Sequence, residues 1–316
     1  MALFDDLSPT EILPLLELRT RQKIVPGRTL LFLDEIQMCP RAIMALRYFY
    51  EELPDLHLVA AGSLLDFVLA EEGFSVPVGR IQYLHLGPLN FCEFLDAVGE
   101  ERLAERLNLF EPSGKKLDPL HEHLMTWLRR YIMIGGVPEA VQTYCETQSY
   151  GAVDQVKEAV KPLFLDVGLM LRALGLDLTS FHESESLMTA NNGAIAEQLV
   201  GQELQAAQPL WQEPSLHYWV RQQKASSAEV DYVLSSGTRI YPVEVKAGST
   251  GHLRSLHIFL QEKGLHLGVR LGTGKPQVTE IDHRLTTSQA VSGCLYSLPL
   301  YLAGQVPRII REVVVQ

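Results

Sequence analysis

Residues 30–33 read Leu-Leu-Phe-Leu and run directly into Asp34-Glu35. A strand that is apolar on both sides cannot face water on either, and such strands belong to parallel sheets covered by helices. A second apolar run, residues 56–61, closes on Gly62-Ser63. Between the two, Pro40 opens an amphipathic stretch to Glu52, with Ile43, Leu46, Tyr48, Phe49 and Tyr50 on its apolar side. Proline suits the first helical position, where its missing N–H costs nothing. Strand–helix–strand in this order predicts an α/β fold with a parallel sheet. A helix is expected over 10–24, another over 63–71, a third strand over 81–86 and a helix from Phe91 to Val98.

From about residue 97 to 190 the spacing is mainly helical. His121 to Ile134 places Leu124, Trp127, Leu128 and Tyr131 at helical intervals, and Gly135-Gly136-Val137-Pro138 ends that helix. A further helix is expected over 191–208. Strands follow at 216–220, 229–234, 239–245 and 268–270, with a helix over 251–263. Ser235-Ser236-Gly237-Thr238 reads as a hairpin turn.

Composition removes several classes. The chain has 316 residues, 47% of them apolar, and no apolar run of membrane-spanning length. Its first residues lack the basic and apolar regions of a secretory signal. The four cysteines, Cys39, Cys92, Cys145 and Cys294, form no C-x-x-C pair, and they read as reduced thiols in a cytoplasmic protein. The net charge of −11 argues against a nucleic-acid coat. Residues 1–100 carry 15 acidic and 7 basic side chains, whereas residues 221–316 carry 7 and 11. Contact with nucleic acid is therefore expected at the C-terminal end if anywhere.

An apolar strand ending in two carboxylates is the Walker B pattern of nucleotide hydrolases. Asp34 could hold Mg²⁺, and Glu35 could orient a water for attack on a phosphoryl group. Ser63, ending the next strand, could sense a γ-phosphate, and Arg80 could stabilise transferred charge from a neighbouring subunit. Alternatively, Asp34-Glu35 only cap the strand. No G-x-x-x-x-G-K-[ST] loop occurs in the 316 residues. Gly272-Thr273-Gly274-Lys275 is the nearest approach, and Pro276 after the lysine rules it out.

A second constellation lies near the C-terminus. Strand periodicity puts Glu244 and Lys246 on one face, and the hairpin turn brings Asp231 alongside. Glu197, on the helix before, could add a ligand. Two carboxylates and a lysine at one point could bind Mg²⁺ or Mn²⁺ and activate water, or could form only an exposed Glu–Lys ion pair. Helix, strand and hairpin in this order are similar to the restriction-endonuclease-like core, which also occurs as a non-catalytic binding module. His121-Glu122-His123 is no ligand pair, because helical positions two apart do not share a face. Gly135-Gly136 could contact phosphate, but it reads first as a helix-breaking turn.

Several runs together carry a family resemblance. They are Leu31 to Gln37, Cys39 to Ala42, Ala60 to Leu65, Phe74 to Arg80, Leu86 to Leu95, Tyr131 to Glu139 and Leu165 to Leu169, with the segments around Glu197 and Lys246. They resemble the prokaryotic AAA-type ATP-binding proteins that carry a C-terminal domain of unknown function. The resemblance implies a partial ATPase domain over 1–100, a helical middle over 101–185 and a restriction-endonuclease-like domain over 186–316. It also implies ATP and Mg²⁺ as cofactors and a homo-oligomer or nucleic acid as partners, with no membrane. Two departures stand out. Family members carry the phosphate-binding loop and the central strand of the sheet upstream of the point where this sequence starts. They also place a long winged-helix-like segment where only about twenty residues join Tyr144 to Leu165. The expectation is an incomplete AAA-type sheet, impaired in ATP hydrolysis.

Overall fold

A computed structural model describes residues 2–62, 79–112, 117–159, 166–174, 192–223, 226–246, 253–284 and 290–315. The fold is α/β, and internal contacts divide the chain into two compact units, Met1–Leu84 and His85–Gln316.

In the first unit, α1 (Pro9–Thr20) and α2 (Pro40–Glu52) each begin on proline. They flank β1 (Leu30–Leu33) and β2 (His57–Ala60), which pair in parallel from Leu30↔His57 to Leu33↔Ala60. Leu31, Leu33, Leu58 and Ala60 turn inward against Ile12, Ile36, Ile43 and Phe49. On the other face Leu30 is 58% exposed, Phe32 54% and Val59 42%. The apolar run thus predicts the strand correctly, but the described residues cover only one of its faces. No strand forms over 81–86. Alternation alone does not make a strand, and β1 and β2 pair only with each other among the described residues. The helix expected over 63–71 lies outside the described residues.

The second unit begins with helices α3 (Phe91–Ala97), α4 (Glu101–Asn108), α5 (His121–Ile134), α6 (Pro138–Thr147), α7 (Tyr150–Ala159) and α8 (Val167–Ala173). Then come α9 (Asn192–Ala206), the hairpin β3 (Trp219–Gln223) and β4 (Ser226–Val230), β5 (Tyr232–Ser236) and β6 (Arg239–Lys246). After α10 (Arg254–Lys263) follow β7 (Leu267–Gly272), β8 (Gln277–Arg284), β9 (Ala290–Pro299) and α11 (Val306–Val315). The main sheet runs β5-β6-β7-β9-β8, with β6–β7 and β7–β9 parallel and both outer pairs antiparallel. One core joins Phe94, Leu128 and Tyr131 of the helices to Leu199 of α9 and Val243 and Val269 of the sheet.

A buried polar network ties this unit together. The single proton of the Tyr131 hydroxyl is shared between the Leu89 carbonyl (2.7 Å) and Glu203 Oε1 (3.0 Å). Gln202 donates to the Tyr131 hydroxyl (2.8 Å), and its own Oε1 accepts from the Val167 N–H. Asp166 caps α8 through Leu169 N–H and accepts from the Gly136 N–H at 2.6 Å. Gly135, at φ +79°, ends α5, and a Cβ there would strike the Asp166 carboxylate. A Cβ on Gly136 would collide with the Leu89 backbone. The glycine pair therefore serves a turn and a close approach.

Candidate functional site

The Asp34-Glu35 pair follows the C-terminal end of β1, where the sequence places it, and both residues are exposed. Glu35 occupies the left-handed region at φ 51°, a conformation that costs a non-glycine residue about 1 kcal/mol. The turn is held from within. Asp34 Oδ1 accepts the Glu35 N–H at 3.0 Å, and Gln37 donates to Glu35 Oε2. Arg80 pairs with Glu51 at 2.7 Å, and Arg47 meets the same carboxylate at 3.1 Å. Ser63 lies outside the described residues. The donor type at Asp34 suits Mg²⁺, but among the described residues no three His, Cys, Asp or Glu side chains are placed to share an ion. The 316 residues contain no G-x-x-x-x-G-K-[ST] loop to set beside this pair.

The C-terminal cluster does assemble. Tyr232 pairs with Val243, which sets Asp231 across from Glu244. The strand expected over 229–234 is interrupted at Asp231, because its Oδ2 takes the Val245 N–H at 2.7 Å. The side chain thereby replaces the ladder bond that would have continued the strand. Lys246 Nζ lies 2.6 Å from Glu244 Oε1. The Glu244 side chain is 5% exposed, and among the described residues its Oε2 has no hydrogen-bond partner. Tyr232 donates to the Glu197 backbone carbonyl at 2.7 Å, fixing α9 over the cluster.

The electrostatics follow from this proximity. Burial raises the Glu244 pKa, the Lys246 hydrogen bond opposes the rise, and the Asp231 charge adds to it. Burial and then Asp231 raise Glu197, with Lys246 opposing. For Lys246 burial acts to lower the pKa, but the hydrogen bond and charge of Glu244 outweigh it and the net shift is upward. Lys246 thus supplies a positive charge at Glu244 Oε1, and one Asp231 oxygen is engaged by backbone. As placed, Glu197, Asp231 and Glu244 do not form a three-ligand metal site.

Sequence reasoning passed over one further carboxylate. Glu203 is 4% exposed, and burial pushes its pKa from 4.5 up to about 7, against the opposing hydrogen bonds from Phe91 N–H and Tyr131. It lies four residues beyond Leu199 and eight beyond Ile195, both buried. An acid on the apolar face of a helix is the signal that would have found it. The four cysteines are free and half-buried. His121 is buried with Nδ1 3.1 Å from the Tyr301 hydroxyl, whereas His123 faces outward, as their spacing predicts.

A parallel strand pair ending in adjacent carboxylates, in a chain that also folds a five-stranded mixed sheet, makes this an α/β protein. A family model described as an AAA domain matches residues 2–95, and one described as Domain of unknown function (DUF4143) matches residues 192–289. The chain is an AAA-type protein with a C-terminal domain of unknown function. No curated protein and no solved structure matches it. Among the described residues no helix is long and apolar enough to cross a membrane.

Proposed function

We propose that these 316 residues form an AAA-type member impaired in ATP hydrolysis. The observation behind this reading is the state of the Walker B pair: Asp34 and Glu35 are exposed and held by their own turn, and the sequence contains no phosphate-binding loop. Phosphoryl transfer depends almost entirely on positioning and charge stabilisation, so carboxylates with no positioned phosphate have nothing to act on. Arg80, bound to Glu51, is likewise not presented as a free charge. A phosphate-release assay on the purified chain should give the rate of buffer containing Mg²⁺ and ATP. Turnover that disappears in Glu35→Gln would refute the reading.

A second reading concerns the C-terminal domain, where Asp231, Glu244 and Lys246 come together. We propose that it is a binding module for nucleic acid or protein and does not cleave. The supporting observation is that Lys246 occupies the charge-neutralising position on Glu244, while Asp231 is spent on the Val245 N–H. Labelled single- and double-stranded oligonucleotides should remain intact with Mn²⁺ or Mg²⁺. Cleavage that is lost in Asp231→Ala would make the domain a nuclease instead.

A further inference from the structure

A cleft of about 290 Å³ opens beside α3, α9 and α11. Its lining includes Cys92, Glu93, Asp96, Glu203, Gln305 and Arg311. We propose that this cleft binds a small organic ammonium ion, with Glu203 as its anchor. The two oxygens of Glu203 are differently placed. Oε1 is held by the Phe91 N–H at 2.8 Å and by Tyr131 at 3.0 Å. Oε2 faces Gly304, where an added Cβ would stand 2.9 Å from it. The missing side chain at 304 leaves that oxygen open to the cleft. Among the described residues no cation pairs with Glu203, although the side chain is nine-tenths buried. A buried carboxylate of this kind calls for a positive partner or a proton.

The rest of the cleft selects the partner's class. Glu93, which accepts the Asn90 N–H, and Asp96 add negative charge at the α3 wall, against one positive charge from Arg311, whose Nε donates to the Pro307 carbonyl. Arg308 is already committed to Glu312, Gln305 and the Phe110 carbonyl, so it does not neutralise Glu203. Burial raises the Cys92 thiol to about 12, so it is a neutral group there. A divalent metal is disfavoured, since no three ligating side chains among the described residues converge. A volume near the lower end for ligand pockets suits a small molecule, and an ammonium group can donate to Oε2 and leave the Oε1 bonds intact.

The test is titration calorimetry of the full chain at pH 8 in amine-free phosphate buffer, with 1-aminobutane as probe and 1-butanol as its neutral counterpart. The amine should bind and the alcohol should not. Glu203→Gln should weaken amine binding by about tenfold or more, the worth of a charge-assisted hydrogen bond. Gly304→Ala should weaken it comparably by covering Oε2, and it leaves the charge in place if the first variant folds poorly. Equal heats from amine and alcohol, or amine binding in a folded variant that matches the wild type, would overturn the proposal.

Discussion

Replacing Glu203 by glutamine tests the electrostatics of the larger unit directly. The folded protein holds the Glu203 proton up to about pH 7, whereas the unfolded chain releases it near 4.5. Between these values the folded state binds more protons, so stability falls as pH rises. The contribution is fully present below about pH 4.5 and is lost by the time pH has passed about 7. The shift corresponds to about 3 kcal/mol. The groups that face this carboxylate are Tyr131 on α5, Phe91 N–H and the Glu93 charge on α3, and Cys92, whose thiol feels Glu203 in turn. Glutamine keeps an oxygen for Phe91 and Tyr131 and carries no charge. Glu203→Gln should therefore match the wild type within about 1 kcal/mol at pH 5 and exceed it by about 2–3 kcal/mol at pH 8. Trp127, Trp211 and Trp219, the three tryptophans of the sequence, all lie beyond Leu84. Urea unfolding followed by tryptophan fluorescence in amine-free buffer thus reports on the second unit. A variant less stable than the wild type at pH 8, or one with the same difference at both pH values, would refute the reasoning.

Other consequences follow from packing. Limited proteolysis should cut within residues 1–84 first and leave a fragment beginning near residue 85, because the first unit exposes the apolar sheet residues Leu30, Phe32 and Val59 while the core of the second runs from Phe91 to Ile310; an intact first unit beside a degraded second one would contradict this. Gly136→Ala should lower the stability of the second unit by about 2 kcal/mol or more, since its Cβ meets the Leu89 backbone and not a movable side chain, and an unchanged urea midpoint would show that the contact relaxes freely.

The legible parts of this chain were those fixed by local chemistry. Pro40 and the apolar spacing after it place α2 where it is found, and the same logic gives α5 from His121 to Ile134. The Asp231–Glu244–Lys246 cluster followed from strand period and a short turn, both local. The rest depends on distant partners. The alternating residues 81–86 form no strand because a strand exists only against an edge that receives it. β8 carries Thr279, Glu280, Asp282 and His283, an edge-strand composition with weak apolar signal, and it becomes a strand through its register with β9. The break at Asp231 needed the Val245 N–H from the neighbouring strand. No inspection of one strand alone would show that bond.

The two sequence motifs and Glu203 differ in how each carboxylate's charge is accommodated. Asp34 and Glu35 face water, where an unpaired charge costs little and a nearby cation gains little. Glu244 is buried, but its strand supplies Lys246 two residues on, so the fold neutralises what it has buried. Glu203 is buried, and its direct partners are a backbone N–H and a hydroxyl. Neutral donors soften the cost of a buried charge without cancelling it, which is why this carboxylate keeps its proton toward neutral pH. Of these carboxylates, the one with no cation beside it in the interior among the described residues is Glu203, which neither motif contains. It is held in place by Tyr131, which also bonds Leu89 and Gln202. A ligand that neutralised Glu203 would act on the same network that joins α3, α5, α8 and α9.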